Sequence, residues 1–80
     1  MNVEDIYSKL TLLMQEVFDD ETVVATPDLT ADDVEEWDSL SHIRLIVTVQ
    51  KAFNVKLSAG EVGNLKNVSE LVDLIQAKAG

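Results

Sequence analysis

Asp38, Ser39 and His42 place an acid, a hydroxyl and an imidazole within one five-residue stretch. Side chains three apart on a helix share a face, so Ser39 and His42 could meet. Such a trio is raw material for nucleophilic hydrolysis. That chemistry also needs an aspartate buried against the histidine, an oxyanion hole and a substrate cleft. A chain of 80 residues with one histidine and no cysteine has little from which to build them. His42 therefore reads as a half-buried packing residue. Ser39 stands where an acidic segment meets an apolar one, at the end of a loop. Its plain structural reading is a helix N-cap, since a serine oxygen satisfies free N–H groups of the first turn. Asp38 fills that role equally well. Taken alone, the cap is the better reading of Ser39; where Asp38 caps instead, the hydroxyl is a handle for covalent attachment rather than a catalytic nucleophile.

The other candidate chemistry is metal binding by Asp28, Asp32, Asp33, Glu35 and Glu36. An EF-hand loop needs alternating ligands, a glycine at its sixth position and a glutamate at its twelfth. This run has no such glycine, and it reads as a solvated acidic face. Without cysteine, a thiolate metal site and a disulfide are both excluded. No catalytic residue and no metal site are expected.

The elements that must position Ser39 follow from the apolar pattern. Val3, Ile6, Leu10, Leu13 and Val17 recur at helical spacing, with Tyr7 and Met14 widening the face. Asn2 suits the N-cap, with Glu4 and Asp5 in the first turn. This helix should end near Asp19-Asp20. A long connection over 19–38 follows, broken by Pro27, with a short helical turn expected around Thr30 to Glu36. Val23, Val24, Leu29, Val34 and Trp37 should pin that loop to the core. Residues 39–53 are apolar nearly all round, with one polar stripe of Ser41, Arg44, Thr48 and Lys51. They predict a central, deeply buried second helix. Asn54 ends it. Ser58 and Glu61 make a capping box for a short third helix reaching about Leu65. Asn67 opens the last helix, with Val68, Leu71, Val72, Leu74 and Ile75 inward.

Length and composition set the frame. Eighty residues make one domain, 1–80, with a thin core. Apolar residues are 46% of the chain and aromatics 5%, so aliphatic packing must supply the stability. Fifteen acids against six bases give a formal charge of −9. That argues against nucleic acid and anionic membrane partners, which need cationic neutralisation. It favours a self-repelling monomer or a basic protein partner. From Glu16 to Asp38 there are ten acids and no Lys or Arg. No stretch is long and apolar enough to insert in a membrane. The acidic N-terminus does not read as a presequence, so a cytoplasmic location is expected.

From about Val3 to Ala77 the chain resembles an acyl carrier protein. The resemblance rests on Asp38-Ser39-Leu40 at the start of the second helix, with Trp37 before it. Ile43, Leu45 and Ile46 follow, and Phe53-Asn54 closes the helix. Leu57, Leu65 and Val68 fall at family-like spacing. It implies an all-α fold: a small four-helix bundle with a long first loop and a short third helix. It also implies that Ser39 carries 4′-phosphopantetheine, with Asp38 and Leu40 as the flanking motif. A phosphopantetheinyl transferase would attach the arm. Acyl-loading and acyl-transferring enzymes would use it, and the carrier itself would catalyse nothing.

One departure bears on function. Fatty-acid-type carriers present acids on the second helix, but residues 39–53 here contain none. Leu40, Arg44, Val47 and Lys51 fall on one helical line, apolar and basic, and form the candidate docking surface. The plain reading of that line is a wet stripe bordering the core. The departure favours a discrete carrier in a specialised lipid, polyketide or related pathway. Two alternatives stand beside it: an aminoacyl or peptidyl carrier, and a non-carrier acidic helical adaptor in which Ser39 is only a cap.

Overall fold

A computed structural model describes residues 2–79. The helices are α1 (Val3–Phe18), α2 (Ser39–Phe53), α3 (Ala59–Gly63) and α4 (Val68–Ala79). A single 3₁₀ turn, Ala31–Asp33, interrupts the first loop. The architecture is the all-α four-helix bundle expected, with its long first loop and short third helix.

Local chemistry sets each boundary. Asn2 Oδ1 accepts the Asp5 N–H at 2.8 Å and opens α1. Asp19 closes it in the left-handed conformation, φ 51°, with its N–H on the carbonyls of Gln15 and Glu16. Asn54 ends α2 the same way, at φ 55°. Both residue types tolerate that conformation better than branched side chains do. At α3, Ser58 Oγ accepts the Glu61 N–H at 3.2 Å while Glu61 Oε1 accepts the Ser58 N–H at 3.0 Å. Asn67 Oδ1 takes the Glu70 N–H at 3.1 Å at the head of α4.

The core is shared by the three long helices. Ile6, Leu10 and Met14 of α1, Leu45 and Val49 of α2, and Leu71 and Ile75 of α4 are fully buried. The buried stripe of α1 runs Ile6, Leu10, Met14, Phe18, slightly rotated from the Val3-to-Val17 line. Val3 is exposed, and Leu13 and Val17 are only partly covered. On α4, Leu74 lies at the core margin rather than within it.

The first loop is fixed at several points. Val23, Ala25 and Val34 are buried, Leu29 and Trp37 pack against the core, and Val24 faces solvent. The N–H groups of Val68 and Ser69, free at the start of α4, donate to the carbonyls of Leu29 and Pro27 at 2.9 and 3.2 Å. Thr11 Oγ1 accepts the Ala25 N–H at 2.9 Å, and Gln15 Nε2 donates to the Val23 carbonyl at 3.0 Å.

α2 departs from the sequence expectation. Its apolarity does not make it the most buried element. Leu45, Ile46, Val49 and Phe53 face the core, but Leu40 is 69% exposed, Ile43 60% and Val47 43%. The reason is geometric. α3 has five residues and buries none of them, so it cannot cover the outer side of α2.

Candidate functional site

The junction between the first loop and α2 is built around Asp38. Its Oδ1 accepts the Ser41 N–H at 2.8 Å, and its carbonyl accepts the His42 N–H at 2.9 Å. Asp38 is thus the N-cap, and Ser39 is the first residue of the helix, exposed to solvent. The backbone bond from Ser41 chiefly holds the Asp38 carboxyl below its usual range, with the Ser41 hydroxyl assisting. Leu40, the other flanking residue, projects into solvent.

His42 does not join Ser39 and Asp38 in a hydrolytic trio. Its Nδ1 accepts a hydrogen bond from Trp37 Nε1 at 3.1 Å, and its Nε2 lies 3.3 Å from the Val62 carbonyl. Both ring nitrogens are committed away from the serine, and the aspartate is committed to Ser41. Trp37 stacks on the imidazole with centroids 6.1 Å apart, and its other neighbour is Phe18 at 5.4 Å. Sequence reading left His42 as a packing residue and missed this tie. Its partners come from a loop and from a carbonyl twenty residues on, so no periodicity announces them.

Beside Ser39 opens a cleft of about 550 Å³, walled by His42, Ile43, Val62, Leu65 and Leu71. Ser39 and Lys66 both belong to its lining. An exposed hydroxyl at a helix N-terminus, where the aligned peptide dipoles favour negative charge, can carry a phosphodiester. The cleft beside it can shelter an apolar group. The residues present therefore fit a phosphate-linked prosthetic arm.

The line Leu40, Arg44, Val47, Lys51 is wholly exposed on α2, and Ile43 joins it. Ile43 lies outside the polar stripe that the sequence marks on this helix, yet it is exposed. The loop acids form a separate surface. There Glu36 Oε1 is buried without a hydrogen-bond partner. Burial, and then the nearby Asp20 carboxyl, push the Glu36 pKa up. Asp20 itself is held low by Thr22, whose hydroxyl and N–H donate to it at 2.6 and 2.9 Å. Among the described residues no group of three or more His, Asp or Glu is placed to hold a metal ion. No described helix is long and apolar enough to cross a membrane.

Comparison with known proteins bears on the family and the fold. The family model described as "phosphopantetheine attachment site" matches residues 8–75. An acyl carrier protein of Acidothermus cellulolyticus is 32% identical over 75 residues, covering 94% of this chain and 89% of the relative. One from Myxococcus xanthus is 32% identical over 72 residues, covering 90% and 91%. Among solved structures, the holo acyl carrier protein of Geobacter metallireducens superposes with a TM-score of 0.85 at 42% identity, covering 90% of this chain and 83% of that one. The chain belongs to the acyl carrier protein family, whose members are carriers rather than enzymes and hold 4′-phosphopantetheine covalently.

Proposed function

We propose that this member of the acyl carrier family carries its phosphopantetheine on Ser39 and serves as a discrete carrier in a specialised lipid, polyketide or related pathway. The observation that carries the assignment of Ser39 is the division of labour at the helix start. Asp38 satisfies the first-turn N–H group, so the neighbouring hydroxyl is exposed and not needed for the cap. When bound, the arm supplies a thiol that holds an acyl group as a thioester. The protein's own residues do the rest. Ser39 anchors, the dipole of α2 tolerates the phosphodiester charge, and Lys66 adds a cation to the same cleft.

The specialised pathway rests on α2. A phosphopantetheinyl transferase and the acyl-loading and acyl-transferring enzymes must all approach Ser39. On this reading they dock on Leu40, Arg44, Val47 and Lys51, with Ile43 enlarging the apolar patch. A partner for this face presents apolar groups flanked by acids, because complementary charge guides docking and rejects wrong partners. Carriers with acidic second helices need the opposite. A monomer working in the cytoplasm is the form this reading takes, with the charge of −9 opposing self-association.

The test is intact-protein mass spectrometry after incubation with coenzyme A, Mg²⁺ and a broad-specificity transferase. Wild type should gain one phosphopantetheine, and Ser39→Ala none. A mass gain on the alanine variant would move the attachment elsewhere. No gain on wild type with several transferases would sink the assignment.

A further inference from the structure

The strongest unassigned feature is the tie through His42. Trp37 Nε1 can only donate, so Nδ1 must accept. The Val62 carbonyl can only accept, so Nε2 must carry the proton. One form of the ring satisfies both contacts: neutral imidazole protonated on Nε2. The stack on Trp37, 23° from parallel, fixes the ring plane as well.

What this ring holds is α3. A helix of five residues cannot stand alone in water. Besides the packing of Val62 against the core, three polar devices keep α3 in place. The Ser58–Glu61 box starts it. The Glu61–Lys78 pair at 3.1 Å ties it to α4, but both side chains are about one-third exposed, so water weakens that pair. His42 ties it to α2 from a part-buried position. Val62 and Leu65, on and just beyond α3, line the cleft beside Ser39 together with Ile43 of α2 and Leu71 of α4. The position of α3 therefore sets the width of that cleft.

We propose that His42 is a positioning residue that latches α3 to α2 and so limits the size of the group that the cleft beside Ser39 accepts. The latch stands on the hydrogen bonds alone. Its consequence for cargo rests on the carrier reading above.

Two substitutions separate hydrogen bonding from packing. His42→Leu fills space without either bond. His42→Gln offers an amide oxygen and nitrogen spaced much like the two ring nitrogens. On the unmodified protein, long-range proton–nitrogen NMR correlations should show Nδ1 unprotonated and Nε2 protonated. Amide exchange over residues 59–65 should be about two- to tenfold faster in His42→Leu, the value of one ordinary hydrogen bond, and close to wild type in His42→Gln. Protein carrying phosphopantetheine is then loaded with saturated acyl groups of stepwise increasing length, and cleavage by hydroxylamine is followed. The length at which protection stops should be greater in His42→Leu than in wild type, with His42→Gln following wild type.

A proton on Nδ1, unchanged α3 exchange in His42→Leu, or an unchanged length limit would overturn the proposal. Failure of the arm to attach would count against the carrier reading only, since the first two readouts need no arm. If His42→Leu does not fold, Trp37→Phe removes the donor and keeps the aromatic contact. It should free the tautomer and speed α3 exchange; if it does neither, the latch is refuted.

Discussion

Leu45 and Leu71 give a paired test of whether the cleft beside Ser39 is truly open to the core. Both are essentially buried, at 0% and 1% exposure, and both lose the same three carbons on substitution by alanine. The transfer loss is therefore the same, about 2.4 kcal/mol at about 0.8 kcal/mol per carbon. The cavity term differs. Leu45 lies in the closed interior shared by α1, α2 and α4, so the space left has no atoms to fill it. Its full cost should be about 3–5 kcal/mol. Leu71 lines the cleft of about 550 Å³, so the new space merges with one already reached by solvent. Its cost should stay near the transfer value, about 2–3 kcal/mol. Against a total of roughly 4–12 kcal/mol for a chain this size, the difference is measurable. Urea unfolding followed by far-UV circular dichroism reads both, and avoids using Trp37 as a local probe. A Leu71→Ala cost equal to that of Leu45→Ala, at the same m value, would mean that the cleft closes in solution.

Two further outcomes follow from the charged surfaces. Reversing Arg44 and Lys51 together to glutamate should raise the KM for the carrier in loading by its partner, roughly three- to thirtyfold at about 0.15 M salt, and less at higher salt. An unchanged KM would remove these residues from the docking face. Glu36 has its folded pKa raised, so its contribution to stability is fullest below the unfolded value and is lost as pH rises through the folded one. Asp20, Asp38 and Glu61 are lowered and run the other way, losing their contribution as pH falls through their folded values. Wild type should thus gain melting temperature on mild acidification from neutrality and lose it at lower pH. Glu36→Gln should melt higher at neutral pH and lack most of that gain. A lower melting point at neutral pH, or an undiminished gain, would contradict the assignment.

Much of this was legible in the residues because short-range rules decide it. Asn2, Ser58 and Asn67 cap the helices that their positions announced, and Asp19 and Asn54 stop helices as polar residues able to turn left-handed do. Asp38 as cap and Ser39 as exposed neighbour also follow from local geometry. What was hidden depends on which side of a helix has a neighbour. Leu40, Ile43 and Val47 have the composition of core residues, and only the shortness of α3 leaves them in water. The two partners of His42 arrive from a loop and from another helix, and the covering of Glu36 Oε1 depends on where the first loop settles.

The exposed side of α2 sharpens the functional reading, because helix stability alone does not account for it. α1, α3 and α4 each place an acid in the first turn, where the dipole rewards it: Glu4 and Asp5, Glu61, and Glu70. α2 has none there and none further along. Acids were therefore available and locally favourable, yet the helix relies on Asp38 alone. Burial does not explain Leu40, Ile43 and Val47 either, since solvent covers them. Both departures belong to the same helix, which begins at Ser39. An apolar, basic surface would give a partner something to grip beside Ser39. The proposed docking role would account together for the absent acids, the exposed apolar residues and the two bases farther along.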